Sequence, residues 1–246
     1  VVTGVVTAGI GWLTYLSGVA YVENAMLFFG LMAAAVLVRA YGNDGQASIR
    51  WTFMAGLLAG LAAGCKYTGA VLVVVPLAIL AAGLPGLSLK RRIAGLSAYA
   101  FAAALAVCPW LIKNAAMTGN PVFPLVGSVF PSCPDGWGES EYRHFAACHS
   151  PGPEEQSPGS RLGLLWRHVL ADPDQRIGLP LMLLALAGLA SRERRGLTTV
   201  FALVLSVQLL MWMFGTHLYA RFAVPLLIPL IVLASNAGRP GRWVLA

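Results

Sequence analysis

Lys66 is the only charged residue between Arg50 and Lys90, in the string Ala62-Ala63-Gly64-Cys65-Lys66-Tyr67-Thr68-Gly69. A charge at the centre of a bilayer costs about 2.5–3.5 kcal/mol. A lysine in such a stretch must therefore reach water or lie against an anion. Three more chemically capable residues stand where apolar runs begin: Glu23 in Ala20-Tyr21-Val22-Glu23-Asn24, and His217 and Arg221 in Gly215-Thr216-His217-Leu218-Tyr219-Ala220-Arg221. Lys66 and Arg221, with Tyr67 and His217, suit a phosphate or pyrophosphate group. The carboxylate of Glu23 suits a general base or a ligand to an organising divalent cation. Against this, lysine and arginine near helix ends often only snorkel to the interface, and Tyr67, Tyr219 and Lys113 fit the role of interfacial anchors.

The elements that must position these groups are transmembrane helices. The chain has 246 residues, of which 58% are hydrophobic and 11% charged. Soluble domains carry about 25% charged residues. Apolar runs fall at 1–16, 25–40, 51–65, 67–84, 93–112, 177–190, 197–214 and 222–236. Runs of that length read as helices rather than barrel strands, so the expected fold is all-α, a polytopic bundle of about eight spans forming a single domain over 1–246. The net charge of +7 does not point to nucleic acid, because the basic residues cluster between the runs, where they set orientation.

Those clusters give a topology. With Lys90-Arg91-Arg92 and Arg192, Arg194 and Arg195 both in the cytoplasm, Arg39, Arg50, Arg239 and Arg242 fall there too. This holds only if 51–84 is two short spans joined by a turn at 64–68. Lys66 then sits on the outer face, level with Glu23, Lys113, Asn114, His217, Tyr219 and Arg221. Gly56, Gly60 and Gly64 repeat every four residues and form a small-residue packing face. The segment 113–176 becomes an external loop with seven of the ten acidic residues, and 162–170 reads as an interfacial amphipathic helix.

Cys65 and Cys108 lie in apolar surroundings. Cys133 and Cys148 share the external loop, where an oxidising compartment favours a disulfide between them. Zinc held by these cysteines with His144 and His149 is an alternative whose spacing matches no standard finger. No Walker A loop, dinucleotide glycine fingerprint, HExxH or Gly-x-Ser-x-Gly is present, which removes the common cytoplasmic nucleotide and hydrolase motifs.

In four places the chain resembles the GT-C superfamily of membrane glycosyltransferases, in particular the bacterial relatives of protein mannosyltransferases and lipid A aminoarabinose transferases (glycosyltransferase family 39). These are Ala20-Tyr21-Val22-Glu23-Asn24; the glycine-rich span ending in Cys65-Lys66-Tyr67; Pro109-Trp110-Leu111-Ile112-Lys113-Asn114 followed by Thr118-Gly119-Asn120-Pro121-Val122-Phe123-Pro124; and Arg221-Phe222-Ala223-Val224-Pro225. The resemblance implies a multi-pass protein of the bacterial inner membrane. It further implies transfer of a sugar from a polyprenyl-phosphate donor to a lipid, glycan or protein acceptor on the periplasmic face. It also implies a catalytic Asp in a first outer loop that is not in this sequence. The start at Val1-Val2-Thr3, already apolar, accordingly reads as an N-terminally truncated fragment, with Glu23 the remaining candidate catalytic carboxylate. A transporter or flippase for a lipid or anionic solute is the competing expectation, with Glu23, Lys66 and Arg221 lining its path; a structural membrane subunit is a third.

Overall fold

The computed structural model describes residues 2–19, 21–41, 49–84, 87–130, 136–171, 177–190 and 195–237. These form helices and connecting loops, with no strand among the described residues. The helices are α1 (Val2–Ala8), α2 (Gly11–Ser17), α3 (Glu23–Tyr41), α4 (Ile49–Cys65), α5 (Ala70–Ala82), α6 (Leu89–Thr118), α7 (Glu139–Cys148), α8 (Pro158–Leu165), α9 (Leu179–Leu189), α10 (Arg195–Gly215) and α11 (Ala220–Ala237). Four, α3, α6, α10 and α11, are long and apolar enough to cross a membrane, and α4, α5 and α9 are shorter apolar helices.

The expected single span over 1–16 is not formed. It is two seven-residue helices broken at Ile10, which is extended at φ −69° and ψ 119°. Gly9 and Gly11 flank the break, and glycine is the weakest helix former after proline. The segment taken as loop from residue 113 begins later, because α6 continues to Thr118. It ends there on Gly119, whose left-handed backbone (φ 70°) returns its N–H to the Ala115 carbonyl.

Side-chain pairings fix the helix directions. Thr52, Gly56 and Gly60 of α4 lie against Gly95, Tyr99 and Ala103 of α6, so these two run parallel. Between them the chain turns at Lys66, with the Gly69 N–H donating to the Lys66 carbonyl, and returns along α5. The turn expected at 64–68 is thus present at 66–69. Of the glycine repeat, Gly56 and Gly60 meet the α6 backbone, whereas Gly64 meets nothing.

α5 opens with one π-helical turn, Ala70–Val74. Such a turn displaces backbone carbonyls from the regular ladder, and in an apolar core each needs another donor. Gln208 Nε2 of α10 donates to the Leu72 carbonyl at 2.6 Å, and Tyr99 Oη of α6 to the Val74 carbonyl at 2.9 Å. Both side chains are buried. α5 is thereby pinned from two sides in the centre of the bundle.

The two ends of the bundle differ in character. At one end Arg39 stacks over Trp51 at 5.5 Å, Arg92 donates to the carbonyls of Leu87 and Ala82, and Asn236 meets Thr198. Lys90, Arg91 and Arg195 are also at this end. Glu23, Lys66, Asn114, His217 and Arg221 are gathered at the other. The segment 162–170 is helical: α8 runs into a π-helical turn, Trp166–Leu170, burying Leu164 and Val169 and leaving Leu162, Trp166 and Leu170 exposed. The buried and the exposed face are both mainly apolar, so the segment is not divided into one polar and one apolar side.

Candidate functional site

Glu23 is the first residue of α3 and is fully buried. A carboxylate is favourable at a helix N-terminus, where unpaired N–H groups point outward. Burial without a partner would nevertheless be costly, and two cations meet it. Lys66 Nζ donates to Glu23 Oε1 at 2.7 Å. Arg221 Nε lies 4.0 Å from the same oxygen. Glu23 Oε2 and Arg221 Nε are both buried with no hydrogen-bond partner. The cluster therefore has one acceptor and one donor unfilled, and its cations outnumber its carboxylate two to one.

Aromatic rings complete the cluster. Lys66 Nζ stands 3.9 Å from the centre of the Phe222 ring, and Arg221 lies 4.7 Å above Tyr21. Such contacts hold a cation in a partly dry site. Burial pushes the Lys66 ammonium below the ordinary lysine range, and the hydrogen bond to Glu23 opposes that shift. Phe222 and Tyr21 were not picked out from the sequence. Their only local signal is adjacency to Arg221 and proximity to Glu23 in the chain.

Tyr67, expected among the phosphate ligands, is otherwise engaged. Its hydroxyl donates to the Phe123 carbonyl at 2.8 Å and accepts from Trp110 Nε1 and Asn114 Nδ2 at 3.0 and 2.8 Å. It ties the Lys66 turn to the end of α6 and to the loop beyond it. The buried Asn120 organises that loop through Leu125 and Val122. Lys113 turns away and packs on Trp110 at 4.4 Å.

His217 joins the cluster through Phe222, at 4.5 Å between ring centres, and touches Tyr219 and His149 at 4.6 and 5.2 Å. The next residue, Leu218, is buried with φ 61°, a left-handed conformation unusual for leucine and of the kind that collects at functional sites. Burial first, then the charges of His149, Lys66 and Arg221, lower the His217 imidazole to about 4. At neutral pH it is uncharged, with one ring nitrogen able to donate a hydrogen bond and the other to accept one.

A depressed histidine means that the unfolded chain takes up the proton first. The contribution of His217 to stability therefore rises with pH between about 4 and 6.5 and is constant above. His217→Gln is expected to flatten that part of the curve. Thermal unfolding of both proteins across this range measures it, and parallel curves would show that His217 does not titrate there.

In the loop, Cys148 Sγ and His144 Nε2 approach to 3.6 Å, whereas His149 stacks on Phe145 at 4.0 Å. Among the described residues no group of three or more His, Cys, Asp or Glu side chains is placed to hold a metal ion. Cys133 lies outside the described residues, and with it the disulfide expected to Cys148. So do Arg192, Arg194, Arg239 and Arg242.

Fold and site together define an all-helical protein with four potential membrane-spanning helices and a buried ion cluster at one end. No protein-family model, curated protein or solved structure matches the chain.

Proposed function

We propose that this chain is a multi-pass membrane glycosyltransferase that takes its sugar from a polyprenyl-phosphate donor. In this reading the seven helices α3, α4, α5, α6, α9, α10 and α11 all cross the bacterial inner membrane. The end rich in arginine faces the cytoplasm, and the segment between α6 and α9 lies in the periplasm. The observation that carries the proposal is the convergence of Lys66 and Arg221 on the single buried carboxylate of Glu23 at the helix ends. A phosphate arriving at the membrane surface would find two cations and the unfilled Nε of Arg221, while its lipid tail stays among apolar helices. Glu23 would hold the cations in place. With its Oε1 taken by Lys66, it can act as a general base only if that pair opens when the donor binds.

Transport of a lipid or anionic solute uses the same groups differently. Transporter sites lie near the bilayer midplane between broken helices. Here the charges stand at helix ends, which favours the transferase. Arg221→Gln leaves the Glu23–Lys66 bond intact and is expected to weaken binding of polyprenyl phosphate to the purified chain at least tenfold. Equal binding by both proteins would remove the proposed phosphate site. Polyprenyl phosphate carried across vesicles without sugar transfer would move the assignment to the flippase.

A further inference from the structure

Next to the ion cluster is a cavity that the phosphate role does not use. It measures about 1060 Å³ and opens between the segment 124–128 and helix α7. Its wall is aromatic, with Trp137 at the centre, 5.0 Å from the Phe123 ring, 5.7 Å from Tyr142 and 6.3 Å from Phe145. Its polar groups are Ser128, Glu139, Tyr142, Arg143, His149 and Ser150.

Two features of its wall stand out. The Trp137 indole Nε1 is buried and has no hydrogen-bond partner, a rare state for a buried donor. Val126 in the lining is held at φ 55°, strained for a β-branched residue. The cavity also communicates with the cluster. His149 lines it and stacks on Phe145, His149 touches His217, and His217 touches the Phe222 ring that carries Lys66.

Flat aromatic faces attract the weakly positive C–H faces of a saturated ring, and sparse polar groups at the edge bind its hydroxyls. An acyl chain would leave the polar and charged edge unused. A phosphate would meet Glu139 beside Arg143, 3.7 Å apart, which cancels most of the local charge. The geometry points to a carbohydrate-ring subsite around Trp137, one relay of rings away from Lys66 and Arg221. The transferase reading supplies the reason for a sugar beside a lipid phosphate; the sugar chemistry of the cavity stands on its own residues.

The experiment is saturation-transfer NMR on the full chain in detergent, with methyl α-mannoside, methyl β-glucoside and N-acetylglucosamine as probes, and with each of these sugars joined to polyprenyl phosphate. At least one sugar is expected to bind. Trp137→Ala should weaken it at least tenfold, and Trp137→Phe, which keeps a ring and drops the N–H, a few-fold. A free glycoside that binds alongside polyprenyl phosphate marks an acceptor subsite. A sugar that binds only when lipid-linked marks the donor's own sugar. Both outcomes support the subsite. No sugar bound in either form, or binding that both Trp137 variants leave intact, overturns it. Failure of lipid-phosphate binding alone would instead remove the transferase and leave the glycoside result standing.

Discussion

Lys66→Met is expected to destabilise the chain by about 3 kcal/mol, and adding Glu23→Gln to recover most of that loss. Breaking a buried pair by removing one partner costs about 3–5 kcal/mol, because the other charge is left buried and uncompensated. Glu23 is fully buried, and among the described residues Lys66 is its only hydrogen-bonding cation. Arg221, 4.0 Å from the same oxygen, remains to offset part of the charge, which places the loss at the lower end. Neutralising Glu23 removes the orphaned charge itself. SDS titration of the parent, both single variants and the double variant in mixed micelles measures the coupling. Losses that simply add would mean that the two groups do not interact in the folded chain. Polyprenyl-phosphate binding should stay lost in the double variant, since one of its two cations is gone. That separates the part of Lys66 in stability from its part in binding.

Gly56→Ala and Gly188→Ala should each lower stability by about 1–3 kcal/mol, while Gly64→Ala leaves it unchanged or raises it. A Cβ on Gly56 would collide with the Tyr99 backbone of α6, and one on Gly188 with the Leu233 backbone of α11. In both places the obstacle is main chain, so relief requires two helices to move apart. Gly64 is in the same helix, four residues past Gly60, and meets nothing within 4 Å. Alanine there keeps only its helix-propensity advantage, up to about 1 kcal/mol. Thermal unfolding in detergent distinguishes the three, and a uniform effect would show that propensity rather than packing governs these glycines.

Much of the helix plan was legible because charge is tolerated only at helix ends. The basic clusters at Lys90 and Arg195 and the isolated Lys66 place the turns of the central hairpin to within a few residues. The level shared by Glu23, Lys66, His217 and Arg221 followed from the same reasoning. What was not legible is which of these groups touch. The Glu23–Lys66 bond joins positions 43 residues apart, and no local period encodes such a pairing. Tyr67 read as an interfacial anchor or a phosphate ligand. Its hydroxyl is instead used up by Trp110, Asn114 and Phe123. Trp137 was invisible as a site residue because a loop has no periodicity to place it, and His149 was read only as an alternative zinc ligand, not as a neighbour of His217. The apolar run 1–16 failed for another reason: average hydropathy does not register that Gly9 and Gly11 bracket Ile10.

The unequal helix lengths carry a consequence for the surrounding lipid. α6, with 30 residues, is roughly 45 Å long, and α9, with 11 residues, only about 16 Å. α5 is only slightly longer than α9; it encloses Leu72, Val73, Leu77 and Leu80 among its neighbours and turns Val71 and Val75 outward. α9 buries Leu181, Ala185 and Gly188 against the bundle and turns Leu179, Leu183 and Leu186 outward. In the transferase reading, where α9 crosses a bilayer with a hydrocarbon core of about 30 Å, the leaflets would pinch inward beside it. The protein would wear its membrane as a wedge, thick along α6 and thin along α9, so that headgroups dip toward the bundle on one flank only.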